Sequence, residues 1–369
     1  TLRVIAKIKE SNMFGKKLSS FFGILAFVAG GFFQQANAEY FDDKNVTLLV
    51  NAGAGGGQTR VAALIADNMA KHLGTGTNIV VKNIPGAGGI KGLNVLSEAT
   101  KADGLTLMFG TSNAMAQLLG QEGVRFDLSD LGIIGVGSIN YVTIASTDTK
   151  KGLADRSALL KQENLVIGGR SLSDGLGLFA RLPMEVLGLS YKYVPGYKSQ
   201  PKLNAAMQAK EIEVLGTGHI GYAKFYKDTL IAEGKAIPLF YHSPVLEDGS
   251  QQKIDLYDGT VPTFVSFYES TLGKAPSGQM WEAYKWVSRY QIRPQGLFAP
   301  PGVDGDVLRQ ITAAFEKTLN DQGFKKAYAK RNGMEPNFFV GDEAKTFIAD
   351  AFKISDAGLE GLKKLTSKK

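Results

Sequence analysis

Three times between residues 46 and 113 the sequence runs from a β-rich apolar segment into a turn of small residues. Val46–Val50 leads into Ala52-Gly53-Ala54-Gly55-Gly56-Gly57, and Asn78–Val81 into Pro85-Gly86-Ala87-Gly88-Gly89. Leu105–Phe109 leads into Gly110-Thr111-Ser112-Asn113. After the first turn, Val61, Leu64, Ile65, Met69 and Leu73 recur at helical spacing, and Gly74 marks a stop. Strand–helix alternation of this kind requires right-handed crossovers and predicts a parallel sheet.

A second α/β set follows. Tyr141–Ala145 reads as a strand leaving the first unit, and Leu165–Ile167, Tyr191–Val194, Ile212–Leu215 and Ile237–Phe240 read as strands of another. Leu246–Gly259 is polar and turn-rich, a surface excursion. Leu297–Ala299 ends at the break Pro300-Pro301-Gly302, beyond which Val307, Ile311, Ala314, Phe315 and Leu319 share a helical face. A further helix is expected after Asp342, around Phe347, Ile348 and Phe352. A length of 369 residues favours two domains. We expect residues 39–142 and 293–369 to form one lobe and 143–292 the other.

The N-terminal stretch is read separately. From Met13, Lys16 and Lys17 precede an apolar run from Phe21 to Phe33, and Ala36-Asn37-Ala38 is an Ala-x-Ala cleavage site. The run, interrupted by Gly23, Gly30 and Gly31, falls short of the roughly 20 residues that span a bilayer. A cleaved secretory signal is expected, with residues 1–12 an extension upstream of it and the mature chain periplasmic. Of the formal charge of +7, these first 38 residues carry +4, which leaves too little positive charge elsewhere for a nucleic-acid partner. The chain has no cysteine, so disulfides and thiolate chemistry are out. His72, His219 and His242 share no metal-ligand spacing, and no nucleophile stands paired with a base. No metal, no cofactor and no catalytic residue is expected.

The motifs AGAGGG (52–57), NIPGAGG (83–89), ADG (102–104), FGTSN (109–113), VPGYKS (194–199) and LFAPPGV (297–303) occur in an order and spacing that resemble the extracytoplasmic receptors of tripartite tricarboxylate transporters, the TctC-like or Bug family. The resemblance runs from about Tyr40 to about Phe352. It implies the bilobed type II periplasmic binding-protein fold, an α/β architecture with two parallel-rich sheets flanked by helices and a ligand cleft between lobes. It also implies capture of a small carboxylate or dicarboxylate and delivery to membrane permease subunits. A monomer is expected. An extracytoplasmic enzyme acting on an organic acid, or a sensor feeding a signalling partner, is the competing expectation.

Candidate ligand contacts follow from the turns. Ala54, Gly55, Gly56 and Gly57 at a strand-to-helix turn bring free N–H groups to a carboxylate, with Gln58 and Thr59 adding an amide and a hydroxyl. A plain tight turn is the alternative. Family members have Asp and Arg where this chain has Thr59 and Ala63, a departure that argues against amino-bearing ligands. Gly88 either lines the ligand or lets the next helix pack closely. Thr111, Ser112 and Asn113 offer neutral hydrogen bonds or a helix cap. The turn of the first lobe is expected to offer no cation. In the second lobe Arg170 would meet a distal carboxylate, Ser171 and Ser173 flank it, and Asp174 caps a helix. Tyr197 and Lys198 lie in VPGYKS, with Lys198 the fallback cation or merely solvated. His219 ends a further strand, where a structural role competes with ligand contact.

Overall fold

The first strand–turn–helix repeat becomes β1 (Asn45–Val50) and α1 (Gly57–Leu73) in the computed structural model, which describes residues 40–197, 199–254 and 257–367. The expected signal segment and Lys198 lie outside these residues. Val61, Ala62, Ile65, Ala66, Met69 and Leu73 form the buried face of α1. Gly74 ends it in extended backbone, and glycine is required there by packing, since a Cβ would lie 2.7 Å from Asp42 Oδ1.

The chain continues through β2 (Asn78–Asn83), α2 (Ile90–Glu98), β3 (Thr106–Thr111), α3 (Ala114–Leu118) and β4 (Gly132–Gly137). It then passes to β5 (Tyr141–Ser146), β6 (Leu165–Gly168), α4 (Gly175–Leu187), β7 (Tyr191–Val194), α5 (Gln200–Gln208), β8 (Val214–Gly218), α6 (His219–Tyr222) and β9 (Ala236–His242). Helices α7 (Phe264–Leu272) and α8 (Gln279–Trp286) precede β10 (Gln295–Ala299). Helices α9 (Gly305–Asn320) and α10 (Gln322–Asn332), strand β11 (Phe338–Val340) and helices α11 (Asp342–Asp350) and α12 (Asp356–Ser367) complete it.

These strands form two sheets, a six-stranded one in the order β11-β4-β10-β3-β1-β2 and a five-stranded one in the order β7-β6-β8-β5-β9. The α/β class is as expected, but the sheets are mixed rather than parallel-rich. The triads β2-β1-β3 and β7-β6-β8 are parallel. Strand β10 returns antiparallel between β3 and β4, and β5 runs antiparallel to both β8 and β9. The cause is connectivity. The chain crosses between sheets at 138–140 and again at 292–294, and returning strands enter reversed. The two crossings are bonded, Ile139 N–H donating to Ile292 O at 2.7 Å.

Strands β4 and β11 escape the sequence pattern. β4 reads Gly-Ile-Ile-Gly-Val-Gly, which looks like turn sequence, yet it is buried from Ile133 to Gly137. Its glycines make room for aromatic rings: a Cβ at Gly135 would come within 2.6 Å of Phe315 and one at Gly137 within 2.5 Å of Phe338.

Each sheet has its own core. Leu49, Leu93, Met108, Ile133, Val136 and Phe298 pack in the first, and Ile167, Phe179, Val214, Phe240, Phe264 and Tyr284 in the second. Each fully buried side chain of this size contributes about 1.5–3 kcal/mol relative to exposure. The C-terminal stretch divides. Helices α9 and α11 cover β4, whereas α12 packs on α8 and buries Leu362 and Leu365 in the second core.

Candidate functional site

The carboxyl ends of β1, β2 and β3 are tied together by one buried amide. Asn51 directly follows β1 and is 4% exposed. Its Nδ2 donates to Thr111 O (2.9 Å) and Gly89 O (3.3 Å), and its Oδ1 accepts from Thr111 N–H (3.0 Å). Glycine is needed around it, because a Cβ at Gly110 would clash with Asn51 Oδ1 and one at Gly92 would lie 2.6 Å from Asn51 Cβ. Asn83, at the end of β2, donates to Ala52 O and to Thr59 Oγ1, each at 2.8 Å. Thr59 Oγ1 in turn donates to Gly53 O at 3.0 Å, and Gln58 Nε2 donates to Thr111 Oγ1 at 2.8 Å. The turn from Ala52 to Gly57 is thus held from several sides. Replacing Asn51 by alanine leaves the main-chain groups of Thr111 and Gly89 unpaired. It is expected to cost about 2–4 kcal/mol. Urea denaturation measures it, and a loss below about 1 kcal/mol would mean that the strand ends hold without the amide.

What this bracing presents is an open helix end. Helix α1 starts at N-cap Gly56 with no side-chain cap and no acidic residue in its first turn, and Gly53 to Gly57 are exposed. Gly55 has φ +74°, the left-handed region that favours glycine. Helices α4, α9 and α10 differ, each starting under an aspartate cap from Asp174, Asp304 or Asp321. Gly88, at φ +65°, is exposed in the neighbouring turn after β2. Ser112 N–H donates to Pro294 O (2.9 Å), which fixes the end of β3 to the second crossing. Asn113 occupies the N-cap position of α3 at φ +55° without a side-chain capping bond. Its Nδ2 is buried with no partner among the described residues. The first-sheet candidates are therefore neighbours.

Three residues of this group escape the sequence reading, one of them a cation. Arg60 folds back so that Nη1 donates to Gly55 O at 2.6 Å, so the turn does have a cation, contrary to the sequence reading. It sits one position beyond the motif, where a helical arginine reads as solvated surface. Asn51 and Asn83 were missed too. The signal available for them was a single amide closing each of two successive apolar strands.

The carboxyl ends of β6, β7 and β8 assemble the second group. Tyr197 N–H donates to Gly169 O (3.2 Å) and Gly196 N–H to Arg170 O (3.1 Å), which joins the turns after β6 and β7. Asp174 caps α4 through Leu176 and Gly177 N–H, as expected, and also accepts from Arg170 and Ser171 N–H. Arg170 Nε lies 3.5 Å from Asp174 Oδ1. Ser171 O accepts from Tyr193 Oη at 2.7 Å, and Ser173 is half-buried in the same turn. Tyr197 directs its hydroxyl at Glu211 Oε2 (3.3 Å), and burial with that carboxylate pushes the phenol pKa up. His219 is 7% exposed and starts α6. Its Nε2 lies 2.7 Å from Asn332 O, an arrangement that makes Nε2 the protonated nitrogen, and its main-chain N–H donates to Asn140 O. Burial holds its pKa below the ordinary 6.5. His219 therefore links the second sheet to the end of α10 and to the first crossing. Both groups of strand ends adjoin the same double crossing.

No protein-family model matches the chain. A UPF0065 protein encoded in the gbd 5′ region of Cupriavidus necator is 25% identical over 337 residues, 89% of this chain and 90% of that one. A TctC solute-binding protein from Polaromonas, solved without ligand, superposes with TM-score 0.61 at 19% identity, over 87% of this chain and 98% of that one. MatC from Rhodopseudomonas palustris, solved with malate, superposes with TM-score 0.57 at 18% identity, over 87% and 97%. The fold is that of the TctC-type solute-binding proteins. Within the TctC-type fold, the exposed glycine turn, the first turn of α1 and the turns after β6 and β7 all stand at carboxyl ends of parallel strands, where open α/β sheets bind their ligands.

Proposed function

We propose that this chain is an extracytoplasmic receptor that captures a small organic acid and delivers it to the membrane subunits of a tripartite transporter. The observation that carries this reading is the uncapped N-terminus of α1 behind the exposed Gly53–Gly57 turn. The N–H groups there have no helical partner, and the aligned peptide dipoles place partial positive charge at that end. A carboxylate supplies both the acceptors and the charge. Asn51 and Asn83 hold the turn so that this arrangement exists before the ligand arrives, which lowers the ordering cost of binding. The TctC-type relatives, one of them solved with malate, support a carboxylate as the ligand class.

The two lobes divide at the crossings, residues 39–142 with those from about 293 forming one and 143–292 the other, except that α12 goes with the second lobe, whose core it joins. Closure about 138–140 and 292–294 brings the second group of turns over the ligand and excludes water. Capture completes the task. The groups around the glycine turn are main-chain N–H, amides, hydroxyls and the Arg60 guanidinium, which bind and orient. The receptor works as a monomer in the periplasm, exported by a signal cleaved after Ala38.

A heat-unfolding screen against organic acids tests the reading. A ligand at 100 times its Kd adds about 2.7 kcal/mol, roughly 4 °C in Tm for a chain of this size. An acid that is turned over into product would favour the enzyme instead, and the absence of any shift across mono-, di- and tricarboxylates would count against the receptor.

A further inference from the structure

The charge at the glycine turn comes from inside α1. Arg60 Nη1 donates to Gly55 O at 2.6 Å, and the residue is exposed, with a planar fork that carries further N–H donors. Among the described residues it forms no ion pair with a carboxylate. A second guanidinium stands behind it: Arg331, near the end of α10, donates from Nη1 to Arg60 O at 2.6 Å. Among the described residues, the cation of the second group already faces a carboxylate. Arg170 is paired with Asp174, whose oxygens also take four main-chain N–H groups.

We propose that Arg60 reads a second anionic group of the ligand and makes the site selective for short dianions over monoanions. This rests on the receptor reading above. The guanidinium is anchored on Gly55, within the same turn as the open N–H groups of α1. Two anionic groups separated by a short chain therefore reach both at once, one on the helix end and one on Arg60. Anchoring to Gly55 O orients the fork and leaves its other N–H donors for a bidentate carboxylate. The expectation that Arg170 performs this task gives way because its charge has a carboxylate partner, whereas that of Arg60 has none among the described residues.

Calorimetry with malate and 2-hydroxybutyrate tests this on the full chain, since the two acids differ by one carboxylate. Arg60→Gln is expected to weaken malate about 10- to 100-fold and to change 2-hydroxybutyrate less than about threefold. Arg60→Lys keeps the charge without the fork and should fall between; it also serves if the Gln variant folds poorly, which circular dichroism checks. Unchanged malate affinity in Arg60→Gln overturns the proposal while leaving the receptor reading intact. So does an equal loss for both acids, which would make Arg60 a brace for the turn, and so does a malate loss confined to Arg170→Ala. If the unaltered chain binds neither acid nor any other carboxylate, the receptor reading fails and the role of Arg60 falls with it.

Discussion

Replacing Arg181 by alanine is expected to destabilise the protein by about 3–5 kcal/mol, roughly 4–8 °C in Tm. Arg181 lies in α4, is fully buried and has no carboxylate partner among the described residues. Its charge is met by carbonyl oxygens. Nη1 donates to Leu365 O at 3.0 Å, Nη2 to Leu172 O and Nε to Gly177 O at 3.3 Å, while the guanidinium stacks 4.1 Å over the Tyr193 ring. Leu365 belongs to the last turn of α12, where unpaired carbonyls and the helix dipole favour a cation. One side chain thus ties the turn after β6 to the C-terminal helix. Alanine would leave a cavity and two carbonyls without donors. Lysine would keep the charge but could neither fork to those acceptors nor stack, so it should recover only part of the loss. Guanidinium denaturation of the three forms decides the matter. A loss under about 1 kcal/mol for alanine would mean that neighbouring groups repair the site at little cost.

The second large effect is set by pH. His242 is fully buried between Thr143 and Tyr284. Thr143 Oγ1 donates to Phe179 O, so it accepts from His242 Nε2–H at 2.8 Å. Tyr284 Oη accepts from Gln251 Nε2 and donates to His242 Nδ1 at 2.9 Å. The network therefore specifies a neutral ring with its proton on Nε2. Burial pushes the pKa from the ordinary 6.5 down to about 3. In the unfolded chain the ring takes up a proton near pH 6.5, whereas in the folded protein it does not until about pH 3. The stability associated with His242 is complete above pH 6.5 and is lost as pH falls, by about 1.4 kcal/mol per unit and about 4–5 kcal/mol in all. His72 and His219 are depressed in the same direction, and carboxylates contribute lower down, so the comparison must isolate one ring. Urea midpoints between pH 6.5 and 4.5 for the unaltered protein and for His242→Gln should converge as pH falls. Parallel curves would show that His242 titrates normally.

Part of the site could be read directly from the chain. The turns at Ala52–Gly57, Pro85–Gly89 and Thr111–Asn113 stand at strand ends because apolar β-rich runs and glycine clusters act locally. Asp174 was legible as a cap for the same reason: its partners, Leu176 and Gly177, are two and three residues away. Arg60 was not, because its partner is a main-chain oxygen five residues back, reached only when the turn folds over the helix end. The partners of Tyr197 and His219 were equally hidden, since Glu211 and Asn332 are brought to them by other elements.

Local chemistry in the sequence determined the α/β class, the nine strands whose apolar runs are continuous and the glycine turns that follow them. Those features depend on side-chain periodicity and backbone freedom, which are properties of neighbours in the chain. Tertiary structure alone decided that the sheets are mixed, that Gly-Ile-Ile-Gly-Val-Gly is a buried strand and that α12 belongs to the second core. It also brought Arg60 back onto Gly55, beside the glycine turn. The sheet order, the buried β4 and the docking of α12 rest on contacts between residues far apart in sequence, Gly135 against Phe315 or Arg181 against Leu365, and such contacts exist only once the two crossings have set the sheets in place.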